Sequence, residues 1–304
     1  MQRKFVRIIK IFVSVALVWV IWRYFLKIEN PEQIWNKIKT INPLIFVFAI
    51  SVSLLNWGLE AKKWQLLLVQ LEPISFRNAW KSTCSGAAVS NILPFRIGEY
   101  LGRVLFITHE NRIPAIFNSV FGSTVQLSVS MLFGIPASFY LLDQQYNKLS
   151  IYAFIALISI IVFFSFIFTF SKRIKNARKV WISKVLEDIQ KFTIRQILVT
   201  FLISILRYIL FASFYVLLLY YLHVSDQLLY LYGGVATIYL VQSFAPSMIL
   251  TDAGLRTGIP LMVFKTTLAL QPPLLAAAIL NYFFNVLFPA ILGLIYIVMQ
   301  KIKG

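Results

Sequence analysis

In a chain this apolar, few residues can do chemistry, and the ionisable ones gather in two places. The first is Ser90-Asn91-Ile92-Leu93-Pro94-Phe95-Arg96-Ile97-Gly98-Glu99-Tyr100-Leu101-Gly102-Arg103. Pro94 ends one helix and Gly98 permits tight backbone. Glu99 and Arg103 stand four apart in the acid-before-base order that pairs on a helix. An ionisable group at membrane depth is costly, so it usually faces a cavity or a partner. The chemistry this pattern suits is anion binding, with a helix N-terminus and Arg96 aimed at a phosphate or carboxylate. The plainer reading is a Glu–Arg pair at headgroup level that holds the segment in place.

The second place holds Gln242, Ser243, Pro246, Asp252, Gly254, Arg256 and Thr257. Asp252 is expected to cap a helix beginning near Gly254; the plainer reading is a polar outer loop with a capping residue. Arg207, in the middle of an apolar run, is a further buried cation that can pair with Glu99 or a lipid phosphate, or snorkel to the surface. The expected substrate-binding residues are therefore Asn91, Arg96, Glu99, Arg103, Arg207, Asp252 and Arg256. The expected hinges are Pro94, Gly98, Pro246 and Gly254. Arg96, Glu99 and Arg256 are expected to converge on one polar cavity near the membrane midplane.

The elements that position these residues follow from composition. Of 304 residues, 59% are hydrophobic and 13% charged, against about 45–50% and roughly 25% in a soluble domain. At about 20 residues per transmembrane helix, the chain reads as one all-α integral membrane domain, residues 1–304. The net charge of +18 lies between apolar runs, as the positive-inside rule expects, and nucleic acid is not an expected partner. Cys84 is the single cysteine, and with two histidines no spaced metal-ligand set is formed. No metal or cofactor is expected, and no phosphate-binding Gly-x-x-x-x-Gly-Lys-Ser/Thr occurs.

Spans are expected at about 8–27, 43–60, 114–142, 150–170, 196–222 and 274–299. A short surface helix starts at Asn30-Pro31-Glu32, with Ile34, Trp35, Ile38 and Ile41 on one face. Residues 61–81 read as a basic loop. Residues 171–195 carry eight Lys and Arg against Glu187 and Asp188, and read as a cytoplasmic amphipathic linker. With that linker and both chain ends in the cytoplasm, the segments around 61–81 and 103–113 are also inside, while 143–149 and 223–228 are outside. This parity requires 82–103 and 229–270 to enter and leave on one side each, as re-entrant helical hairpins. About six transmembrane helices and two hairpins then form an inverted-topology repeat, with halves about 43–142 and 196–299. In such repeats the site lies where broken helices meet.

Asn91-x-x-Pro94-x-Arg96-x-Gly98-Glu99-x-x-x-Arg103, followed by Asp252-Ala253-Gly254-Leu255-Arg256, resembles the transmembrane domain of lysylphosphatidylglycerol synthases, a domain that recurs in flippase-like proteins. The resemblance covers nearly the whole chain. It implies a membrane domain with re-entrant helices, associated with moving lipids between leaflets of the cell (inner) membrane. Thr257 stands where the family's pattern has Glu after the arginine. The soluble aminoacyl-transfer domain of the synthases is absent here, so transferase activity is not expected.

The leading expectation is a lipid translocase, not an enzyme, acting on an anionic or aminoacylated phospholipid or a polyprenyl-linked lipid. Arg96, Arg103 and Arg256 would hold phosphate, while Glu99 pairs with a cationic group or orients the arginines. The alternatives are an intramembrane transferase on a lipid-linked substrate, or a non-catalytic partner of a separately encoded lipid-modifying enzyme.

Overall fold

The computed structural model describes residues 31–91, 97–142, 192–244, 249–264 and 267–299, with the backbone alone at 249–255, 257 and 268. The expected spans at 8–27 and 150–170, the linker up to residue 191, Asn30, Pro94, Arg96, Pro246 and both chain ends lie outside the described residues. Every element among the described residues is helical.

Helix α1 is Pro31–Lys39 and α2 is Pro43–Leu68. Ile34 and Ile41 are buried, while Trp35 is 55% exposed and lies under the Lys39 ammonium, 5.6 Å from the ring centre. Asn42 caps α2: its side-chain oxygen accepts from Leu44 N at 2.9 Å, and Pro43 fills the first helical position. This satisfies the free N–H groups of a helix start. The span expected to stop at residue 60 continues to Leu68, so Lys62 and Lys63 belong to the helix and not to a loop. Helical continuation is possible because Lys63 is buried against an acid instead of hydrated.

Ser75 caps α3 (Phe76–Ser90), which is followed by α4 (Ile97–Arg103), two 3-10 turns and α5 (Arg112–Leu142). A reciprocal capping box, Thr193 with Gln196, opens α6 (Ile194–Tyr221). Then come α7 (Leu228–Phe244) and α8 (Ile249–Phe264). Asp252 and Gly254 fall inside α8, so Asp252 does not cap a helix starting at Gly254, and Gly254 is not a break. The last span runs from α9 (Gln271–Tyr282) through a π turn (Phe283–Leu287) into α10 (Phe288–Met299). Among the described residues four helical stretches, Pro43–Leu68, His109–Leu141, Ile194–Tyr221 and Gln271–Met299, are long and apolar enough to cross a membrane. The chain is a multi-pass membrane protein.

Packing exchanges elements between the two halves of the sequence. The first spans, α2 and α6, lie against each other; α3 lies along α10, and α7 along α5. Both of these latter contacts close on a glycine. A Cβ at Gly293 would strike the Cys84 carbonyl of α3, and one at Gly134 would strike Leu240 of α7. Each of these glycines stands at the same distance from the start of its span, Gln271 or Arg112. Small residues of this kind let helices approach closely in lipid, where the hydrophobic effect between helices is absent. The α3–α4 pair also closes on glycines: a Cβ at Gly98 or Gly102 would meet the backbone of Val89 or Ser85.

Hydrogen bonds tie the loops at each end. Glu72 accepts from Thr108 N at 3.1 Å, from its hydroxyl at 2.6 Å and from Asn111 Nδ2 at 3.1 Å. The loop before α3 and the loop after α4 are thus neighbours. Gln70 reaches Gln196 at 3.1 Å, so the start of α6 lies at that same end. At the other end the Tyr221 hydroxyl accepts from Asn42 N at 3.1 Å. The Tyr230 hydroxyl donates to the Phe264 carbonyl at 3.3 Å, bringing the start of α7 to the end of α8.

Candidate functional site

Two polar constellations are built into this packing. The first centres on Glu60, in α2, which is 3% exposed. Its Oε1 accepts from Arg103 Nη2 at 2.6 Å. Its Oε2 pairs with Lys63 Nζ at 2.8 Å and with Arg207 Nη1. Arg103 Nη2 also reaches Glu99 Oε1 at 2.5 Å, realising the i,i+4 pair on α4. Arg207 is fixed further by Asn56 Oδ1 at 3.0 Å and Gln126 Oε1 at 3.2 Å.

Among the described residues the cluster holds three cations and two carboxylates. Charges out of water are expensive unless paired and hydrogen-bonded, and here each cation has a carboxylate within reach. The Arg103 guanidinium also lies over the Trp64 ring, 5.5 Å from its centre. That tryptophan donates to Ser82 Oγ at 2.8 Å, and Ser82 donates to the Arg103 carbonyl at 2.6 Å. One carboxylate thereby links α2 of the first half, the α3–α4 pair and α6 of the second half.

The second constellation joins the end of α3, α8 and the last span. Asn91 is the C-cap of α3. Its Oδ1 accepts from the Tyr282 hydroxyl at 3.4 Å, and its Nδ2 donates to the Ala87 carbonyl at 2.8 Å. The Arg256 guanidinium, in α8, lies 4.4 Å from the centre of the Tyr282 ring, within the range of a cation–π contact. A ring from the last span thus carries the C-cap of α3 on its hydroxyl and the α8 arginine on its face. Residues 7–293 match the family model described as the lysylphosphatidylglycerol synthase TM region.

The chain belongs to that family.

No curated protein and no solved structure gives a significant match. Within the lysylphosphatidylglycerol synthase TM-region fold, the structure draws Asn91 and Arg256 together through Tyr282. Glu99 and Arg103 meet in the Glu60 cluster, where Arg207 also sits. Arg207 pairs with Glu60. Arg96 and the Asp252 side chain lie outside the described residues.

Three participants escaped the sequence reading. Glu60 and Lys63 were assigned to the edge of a loop, although Asn56, Glu60 and Lys63 fall at i, i+4 and i+7, a polar stripe on one helix face. That stripe was the available signal. Tyr282, among Tyr282-Phe283-Phe284, carries none.

Proposed function

We propose that this chain is a lipid translocase, which passes the phosphate-bearing headgroup of a phospholipid between leaflets while the acyl chains stay in lipid. The observation that carries this reading is the contact of Asn91, Tyr282 and Arg256. Asn91 lies ~22 Å along its helix from Phe76, and Tyr282 ~16 Å along the last span from Gln271, at 1.5 Å per residue. The contact is therefore far from both ends of the bundle. An arginine and two neutral polar groups at that depth suit a phosphodiester, which needs a cation and hydrogen-bond donors.

The re-entrant reading of the two helix pairs has three supports. The ends of each pair are tied together, by Glu72 with Thr108 and by Tyr230 with Phe264. The helices α3, α7 and α8 have 15, 17 and 16 residues, shorter than the ~20 a crossing needs. The exchange of α3 onto α10 and α7 onto α5 is the packing expected of two halves of opposite orientation. With the basic linker in the cytoplasm, both chain ends fall on the cytoplasmic side of the cell membrane.

The test is leaflet exchange in vesicles of phosphatidylethanolamine and phosphatidylglycerol. These carry a trace of phosphatidylglycerol, or its lysyl ester, with a dithionite-reducible fluorophore on one acyl chain. With the protein present, bleaching should run past the outer-leaflet fraction. Arg256→Ala should slow it roughly tenfold, the equivalent of one lost charge-assisted hydrogen bond. Bleaching that stops at the outer leaflet for both lipids refutes the reading.

A further inference from the structure

The last span is interrupted by a π turn, and its cause can be read from the chain. Pro289 has no backbone N–H. In α register that N–H would serve the Asn285 carbonyl, and in π register the Phe284 carbonyl. Both carbonyls are instead satisfied from the other half of the protein. Ser53 Oγ donates to the Phe284 carbonyl at 2.5 Å, and Trp57 Nε1 donates to the Asn285 carbonyl at 3.0 Å. Ser53 and Trp57 are four apart on α2, on the face that continues to Glu60.

A π turn adds a residue to the helix. It rotates everything before it by roughly one residue's turn, ~100°, relative to everything after it. After the turn, Gly293 and Tyr296 face α3, through the Cys84 backbone and Trp80. Immediately before it stands Tyr282, the ring that holds Arg256 and Asn91. Asn281, its neighbour, donates to the Tyr239 hydroxyl at 3.2 Å, while Asn285 donates to Asn281 Oδ1 at 2.6 Å. The turn is thus tied to α7 as well as to α2.

We infer that Ser53, Trp57 and Pro289 are positioning residues for the headgroup site: together they hold the π turn whose phase aims Tyr282 at Arg256 and Asn91. The role in lipid transfer rests on the translocase reading, whereas the aiming does not. A span without the proline would wind regularly and present position 282 in a different direction, with no change in composition at the site itself.

The experiment reads the aim directly. In a Cys84→Ala background, Asn91→Cys and Tyr282→Cys are joined with a short bifunctional thiol reagent in the purified full chain. The rate is compared in Pro289→Ala, in the Ser53→Ala/Trp57→Phe double variant and in Trp57→Phe alone. Leaflet exchange is measured for the same three changes with Asn91 and Tyr282 intact. Cross-linking should fall about tenfold in the first, which restores a helical N–H, and in the second, which removes both donors, and less in the third, which removes one. Helical circular dichroism and gel-filtration profile should be unchanged. Exchange should fall in the same order. Cross-linking at the parental rate in all three overturns the inference. So does loss of folding in all three, because a positioning role leaves a folded, misaimed protein. If cross-linking falls while exchange is untouched, the aiming stands and the translocase reading of this site falls.

Discussion

In the proposed inverted repeat α2 and α6 are counterparts, and they are furnished in opposite ways. With Pro43 set on Ile194, Asn56 coincides with Arg207, and these two residues touch each other where the helices meet. One turn further along, Glu60 coincides with Phe211, and Lys63 with Phe214. The first half therefore places ions where the second places rings. Around Glu60 the contacts are short and directional. Around Phe211 they are edge-to-face, with Phe211 on Tyr239 at 4.8 Å and Phe214 on Phe284 at 6.1 Å. On the paired helices, Arg103 is bound by two carboxylates and lies over Trp64, and Arg256 lies over Tyr282. An ion cluster in lipid resists separation, because each parted member is left with its desolvation penalty. Ring contacts forfeit only dispersion and about 0.5–1.5 kcal/mol per pair. Among the described contacts, the α3–α4 pair is thus fastened to α2 and α6 by ions, while those of α7 with α6 and the last span are rings and hydroxyls.

The sharpest way to break this contrast is Glu60→Gln. It leaves Lys63, Arg103 and Arg207 with one described carboxylate, Glu99, and should destabilise the protein by about 3–5 kcal/mol. Thermal unfolding in detergent should show it as a large drop in midpoint. A variant as stable as the parent would mean the cluster is not a fastening.

Next come the two glycine contacts. Gly293→Ala drives a methyl onto the Cys84 carbonyl oxygen, whereas Gly134→Ala meets Leu240 Cβ at 2.5 Å and the Ala236 carbonyl at 2.9 Å, anchored contacts but less close. Overpacking costs typically about 1–3 kcal/mol. The first change should lie at or above the top of that range and the second lower, as read from unfolding midpoints measured side by side. The reverse order would contradict a rigid α3–α10 seam.

The smallest effect is expected from Tyr239→Phe. It removes a donor to the Phe211 carbonyl at 3.2 Å and an acceptor for Asn281 but keeps the ring stack. A loss of about 0.5–1.5 kcal/mol is expected for a net hydrogen bond. A loss comparable with that of Glu60→Gln would show that the second half is also held by polar bonds.

What the sequence made legible divides along the same line. Long apolar runs announce spans wherever they are uninterrupted, so 112–142, 194–221 and 271–299 were found to within a few residues. Asn91 and Arg256 stood out because polar groups between Pro and Gly in an apolar chain need a reason to be there. Glu60 and Lys63 misled, since charge at the end of an apolar run ordinarily means water. Here it means three cations gathered from α2, α4 and α6, a three-dimensional fact that no local window contains. The spacing in α1 groups Trp35 with Ile34 and Ile38 but does not say which of them the bundle covers: Ile34 is buried and Trp35 is exposed. The π turn was hidden for a different reason. Proline in a membrane helix is common, and what distinguishes Pro289 is the pair of donors, Ser53 and Trp57, that reach it from more than two hundred residues upstream.

The burial of α3 bears on how the protein is made. Its middle, Ser82-Thr83-Cys84-Ser85-Gly86, is small and polar and fully enclosed, so it offers lipid little reason to take it up alone. Its partner, α10, lies about two hundred residues further along the chain and leaves the ribosome well after it. During synthesis the α3–α4 pair must therefore wait, held at the surface or sheltered by the insertion machinery, until α10 arrives to receive it. Cys84, enclosed only then, is a natural clock for that meeting: its thiol should lose reactivity when α10 has been inserted and not before.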